Sequence, residues 1–242
     1  MEVKISAEKN LLALKENSYP GRQIIIGLDE SGKYGVQVYS IMGRSENSRN
    51  RVFIEDAEGA LKTAPADPSK VKDPSLIIYQ AMAENYLFNY AVSNGHQTTD
   101  AAEVDTLNDL QEWIYEPDSP NFTPRITARF DFGKNHNSLA AEILILKKSP
   151  LGTDCDRSLY NLAIPVAGLG YCVSTYSGDG DPLPPFKGDP YLLPLKGNIE
   201  EVANSIWEAL NEENRVSLAV KFVDILTGES KLKIINKYSQ IN

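Results

Sequence analysis

The chain has 242 residues, 42% of them apolar and 24% charged, which is enough material for a sizeable core and far from the composition of a disordered chain. Its formal charge of −9 opposes DNA, RNA and other polyanions, whose binding depends on Lys and Arg neutralising phosphates. The start of the chain lacks the pattern of a signal peptide and no eighteen apolar residues run together, so a cytoplasmic protein that neither spans nor anchors to a membrane is expected.

In chain order, Ala7 to Glu16 predicts a helix capped by Ser6 and ended by Tyr19-Pro20-Gly21. A hairpin follows: Arg22 to Leu28, a turn at Asp29 to Lys33, then Tyr34 to Met42. Beyond the charged loop Gly43 to Asn50, strands are expected at Arg51 to Glu55, Leu76 to Tyr79 and Leu87 to Val92, with a turn-rich stretch from Ala64 to Ser75. The spacing of Ala102, Leu107, Leu110 and Ile114 predicts a second helix over Thr99 to Trp113. Strands resume at Arg125 to Phe132, Leu139 to Lys147, Ser158 to Val166 and Tyr171 to Tyr176, and Gly178 to Pro190 reads as a long loop. Asn198 with Glu201 approximates a capping box for a third helix, and a hairpin of Val216 to Leu226 with Lys231 to Lys237 closes the chain. About ten strands with hairpin-length connections and three helices imply largely antiparallel sheets covered by helices, in one domain spanning 1–242.

Chemistry concentrates in three polar segments. Gly43 to Arg51 carries Arg44, Arg49 and Arg51 with Ser45 and Ser48, and guanidinium forks with hydroxyls suit a phosphate monoester as well as they suit a solvated loop. Ser93-Asn94-Gly95-His96-Gln97-Thr98-Thr99 joins a strand to a helix, a place where backbone N–H groups meet anions or where a side chain merely caps. Pro120 to Ile126 delivers Arg125 from a proline-restricted backbone, toward a ligand or toward a surface carboxylate. Asp179-Gly180-Asp181 lacks the remainder of a calcium loop and reads as a turn at a pocket rim, and Gly168-Leu169-Gly170 reads as a hairpin turn. Cys155 and Cys172 read as structural thiols, and His96 and His136 occupy no paired-ligand motif, so neither a metal nor a cofactor is expected.

Taken in order, these motifs resemble the archaeal-type IMP cyclohydrolases and their bacterial IMP cyclohydrolase-like relatives. The likeness rests on Gly21-Arg22, the Arg-Ser-x-x-x-x-Arg stretch within Arg44 to Arg51, Ile77-Ile78-Tyr79, Ser93-Asn94-Gly95 and Thr123-Pro124-Arg125-Ile126. Thr175 to Gly180 and Trp207 to Asn214 look like the bacterial branch. The resemblance implies a four-layer αββα sandwich like that of the N-terminal nucleophile hydrolases. It also implies a dehydrative ring closure of 5-formamidoimidazole-4-carboxamide ribonucleotide to IMP, with a purine nucleotide as the small-molecule partner. Carried onto this sequence, it makes Tyr79, Arg44 and Arg51 catalytic and Arg22, Ser45, Asn94, Gly95 and Arg125 substrate-binding. Within that set Tyr79 is expected to transfer a proton, while Asn94 and Arg125 orient the base. A non-catalytic nucleotide binder and an N-terminal-nucleophile amide hydrolase are the alternatives, the latter requiring a mature Cys, Ser or Thr start where this chain begins Met1-Glu2. Assembly into a homo-oligomer is left open by the sequence.

Overall fold

The structure is a computed structural model and describes residues 2–56, 60–71, 73–85, 89–131, 140–163 and 166–240. Strand β1 (Gln23–Leu28) carries three consecutive isoleucines and is buried along its whole length, because both of its faces are covered. Ile24 and Ile26 enter one apolar cluster and Ile25 another, as the two-residue alternation of a strand requires. Strand β2 (Tyr34–Met42) repeats the division, sending Tyr39 and Ile41 to the first cluster and Val36 and Val38 to the second.

These strands belong to a six-stranded sheet with β10 (Leu169–Ser174), β11 (Tyr191–Pro194), β12 (Arg215–Asp224) and β13 (Ser230–Asn236), in the order β11-β10-β1-β2-β12-β13. The second sheet is a seven-stranded meander of β3 (Val52–Glu55), β4 (Leu61–Ala64), β5 (Gln80–Glu84), β6 (Asn89–Ser93), β7 (Arg125–Asp131), β8 (Ala140–Lys148) and β9 (Cys155–Leu162). Every strand pairing among the described residues is antiparallel.

The first apolar cluster lies between the sheets, joining Ile24, Ile26, Tyr39 and Ile41 to Phe53, Tyr90, Ile126, Phe130 and Ile143. The second joins the six-stranded sheet to α1 (Glu2–Glu16) and α4 (Ile199–Ala209) through Leu14, Val202 and Ile206. On the far side, α3 (Gln97–Glu103) packs Ala101 and Ala102 against Ala83, Ala91 and Leu144 of the seven-stranded sheet. A short α2 (Glu46–Arg49) completes the α+β set. No helix among the described residues is long and apolar enough to cross a membrane.

Several expectations change. Helix α1 starts at Glu2, so Ser6 lies inside it and caps nothing. The second helix stops at Glu103, because Arg129 of β7 takes the carbonyls of Val104 and Asp105 while Glu142 of β8 accepts from the Leu107 N–H. These buried tertiary bonds outweigh the helical periodicity, leaving a single 3₁₀ turn at Leu107–Asp109. Leu76 to Tyr79 is not a strand: a 3₁₀ turn spans Pro74–Leu76, and Tyr79 bonds Thr63 just ahead of β5. Strands β4, β5 and β11 are additions to the expected set. Cys172 is buried and Cys155 half-buried, both free thiols. The expected strand residues Leu87, Phe88, Phe132, Leu139, Ile164 and Pro165, and also His136, lie outside the described residues.

Candidate functional site

One end of the sandwich gathers the start of β1, the ends of β2 and β10, and the start of β3, and a cleft of about 470 Å³ opens there. Its walls include Tyr19, Arg22, Arg44, Ser45, Arg51 and Glu116. Gly21 makes the approach possible: it sits at φ +76°, and a Cβ there would collide with Thr175 Oγ1 and the Tyr176 ring. The backbone at Arg22 is then fastened to Thr175, whose Oγ1 accepts from Arg22 N at 3.0 Å and whose N–H donates to Arg22 O at 2.9 Å.

Arg22 is paired inside the cleft. Its Nη1 lies 3.4 Å from both oxygens of Glu116. Burial pulls the guanidinium pKa down, yet Glu116 and the nearby tyrosines Tyr79, Tyr39 and Tyr176 hold it well above its ordinary value. Burial pushes the Glu116 carboxyl up, against the pull of Arg22 and Arg125. Arg51 is different: it is 5% exposed, and among the described residues no salt bridge engages it and its Nε has no hydrogen-bond partner, although the Glu116 carboxylate is near enough to favour its charge. Burial, and then the like charge of Arg22, depress its pKa, so the cation is held there at an electrostatic cost.

Arg44 stands at the rim. Its guanidinium lies 5.0 Å over the Tyr19 ring, and its Nη1 bonds Asp179 and donates to Gly180 O at 2.9 Å. Ser45 caps α2 in a reciprocal capping box with Ser48, which places both hydroxyls on the cleft wall. Arg49 turns away, donating to Gly43 O and to Asn214 Oδ1.

The remaining expected residues stand behind the wall. Tyr79 is buried and shares a 2.6 Å hydrogen bond with the Tyr39 hydroxyl, whose pKa burial pushes well up. Asn94 is fully buried and its amide is saturated: it donates to Pro124 O and Glu116 Oε1 and accepts from the N–H of Ile126 and from Gln97. Its reach to the cleft is therefore through Glu116. Arg125 donates to Gln97 Oε1 at 3.0 Å and lies 5.1 Å over the Trp113 ring. A Cβ on Gly95 would strike the Arg125 guanidinium, so the glycine makes room for that side chain.

Sequence reasoning missed Glu116, Tyr19 and Tyr39, and gave Thr123 and Tyr176 no role. The Thr123 hydroxyl bonds the Tyr176 hydroxyl at 2.5 Å and pins the Asp118 to Thr123 turn to the wall beneath Tyr19. A signal for Glu116 was present, since Glu116-Pro117-Asp118-Ser119-Pro120 sets two acids among prolines just ahead of the Thr123-Pro124-Arg125 segment.

Fold and cleft together define an α+β protein of two antiparallel sheets with an arginine-lined, small-molecule-sized cavity at one end. The chain belongs to the IMP cyclohydrolase-like family, whose model, described as IMP cyclohydrolase-like protein, matches residues 19–229. No curated protein and no solved structure matches it.

Proposed function

We propose that the chain is an IMP cyclohydrolase that closes the ring of 5-formamidoimidazole-4-carboxamide ribonucleotide with loss of water. The observation that carries this is the convergence of Arg22, Arg44 and Arg51 on one cleft, with Arg51 buried and its Nε without a hydrogen-bond partner among the described residues. A buried guanidinium short of hydrogen-bond partners is stabilised by an anion, and a cavity of about 470 Å³ lies within the range that encloses a small polar ligand. Family membership supports the same reading. Two sheets flanked by helices fit the N-terminal nucleophile hydrolase architecture, and the composition fits a cytoplasmic enzyme.

The reaction forms one C–N bond, from the carboxamide nitrogen to the formyl carbon. The formyl oxygen departs as water with one proton from each of the two nitrogens. Holding both arms at attack distance supplies much of the acceleration, with no covalent intermediate required. Arg51 and Arg22 meet the ligand's negative charge and stabilise oxygen charge as it develops. Arg44 closes the phosphate end, Ser45 donates at its side, and the Tyr79–Tyr39 pair relays a proton from behind the arginines. Asn94, Gly95 and Arg125 act as positioning residues, through Glu116 and Gln97.

Amide hydrolysis fits the cleft less well, because its walls hold no cysteine, the hydroxyls of Ser45 and Ser48 are bonded to one another at 3.0 Å, and those of Thr123 and Thr175 are engaged by the Tyr176 hydroxyl and the Arg22 N–H. Incubating the purified protein with the formamido ribonucleotide and following IMP by absorbance tests the proposal, with Arg44→Ala and Arg51→Ala as controls. IMP formation that both variants lose is expected; tight IMP binding without turnover would make the chain a nucleotide binder instead.

A further inference from the structure

Arg44 lines the cleft, yet the carboxylate that holds it, Asp179, lies outside the lining. This sets it apart from Arg22, whose partner Glu116 is itself a buried wall residue, and from Arg51, which makes no salt bridge among the described residues. Both members of the Arg44–Asp179 pair are partly open to solvent, at 35% and 46% side-chain exposure. Such pairs contribute little and exchange partners readily.

The tip that carries Asp179 is prepared for this contact. Its base is fixed by bonds from Ser177 N to Pro184 O at 3.0 Å, from Ser177 Oγ to Pro185 O at 3.1 Å and from Phe186 N to Thr175 O at 3.0 Å. Within the tip, Asp179 Oδ1 also accepts from Gly180 N at 2.9 Å, so the carboxylate faces Arg44 with one oxygen already oriented. Farther along, Leu183 N donates to Asn121 Oδ1 at 3.2 Å, and both of those residues belong to the cleft wall. The tip thus meets Arg44 at Asp179 and the cleft wall at Leu183.

We propose that Asp179 is a specificity-determining residue that gauges the charge of the ligand at the mouth of the cleft. In the empty protein it supplies the anion on Arg44. A ligand whose terminal anionic group stops at Arg44 takes that place with little loss. A ligand that continues past Arg44 brings a second negative group against the Asp179 carboxylate at a distance too short for salt to screen. The cleft therefore favours a single terminal phosphate over a chain of phosphates. The idea rests on the cyclohydrolase reading only for the identity of the natural ligand; the selection itself is a property of anions at Arg44.

Calorimetric titration of inorganic phosphate and of pyrophosphate into the wild type, Asp179→Asn, Arg44→Ala and the double variant tests it. The asparagine keeps an oxygen for the Gly180 N–H, so the tip is retained. Expected is a shift of the affinity ratio toward pyrophosphate in Asp179→Asn, by roughly threefold to fivefold. The same substitution made in the Arg44→Ala background should produce no such shift. An unchanged ratio, an equal shift without Arg44, or no binding of either anion to any of the four proteins would overturn the proposal. A protein that shows the shift but forms no IMP would sink the cyclohydrolase reading and leave the charge gauge standing; the reverse pattern would do the opposite.

Discussion

Arg51 exists in the fold at a net electrostatic cost, since its desolvation and the like charge of Arg22 outweigh the favourable pull of Glu116 and the nearby tyrosines. Replacing it with an apolar side chain of similar length should stabilise the empty protein. Arg51→Met is expected to raise stability by on the order of 1–3 kcal/mol and, if the proposed function holds, to abolish any thermal shift that IMP produces; a lowered melting temperature in the absence of ligand would contradict the net electrostatic cost of the guanidinium. Glu116 provides the opposite experiment. Its carboxyl is raised by burial, with Arg22, Arg125 and Arg51 opposing and Asp118 adding to the rise, so in the folded state it takes a proton at a higher pH than the unfolded chain does. The contribution of this group to stability is therefore fullest at acid pH, below the ordinary value of 4.5, and is lost as pH rises through the raised pKa. Sulfate, which does not titrate in this range, should bind more tightly as pH falls from neutrality toward that value, because protonation removes the rival carboxylate from Arg22. Glu116→Gln should flatten the profile, as titration calorimetry across pH would show. Asn94→Ala should cost about 3 kcal/mol, because it strands several buried groups at once, and a chemical denaturation curve would measure the loss.

At the scale of elements, the capping box of α4 is the simplest case: Asn198 accepts from Glu200 N and Glu201 N while Glu201 answers the Asn198 N–H. Asn198→Ala is expected to destabilise by about 1 kcal/mol, read from the denaturation midpoint at constant slope. That helix, the β1–β2 hairpin and the closing β12–β13 hairpin were legible because cap, turn and apolar pattern agree locally in each. The elements that escaped are those shaped by distant partners. Helix α3 is cut short by Arg129 and Glu142, far along the chain. Strand β4 is four residues long beside a turn-rich stretch, in which Asp67-Pro68-Ser69 and Asp73-Pro74-Ser75 each cap a 3₁₀ turn with an aspartate. The candidate site divides in the same way. Arg22, Arg44, Ser45 and Arg51 stood out as donors in polar segments, whereas Tyr39 lay inside an apolar strand pattern that gave no reason to separate its hydroxyl from the core.

At the scale of the molecule, the cluster between the sheets is continuous from Ile24 and Tyr39 on one side to Phe53 and Ile143 on the other. We expect the two sheets to melt as one domain, with equal calorimetric and van't Hoff enthalpies; two separated transitions would show them to be independent. The cleft draws on both sheets, for Arg22 leads into β1 of one and Arg51 into β3 of the other. An anion gripped by both arginines would rivet strand ends that the backbone ladder never joins. Amide protons near Thr175, bonded across to Arg22, and those at the head of β3 would then exchange more slowly in concert when the cavity fills, although no ladder bond connects the two places.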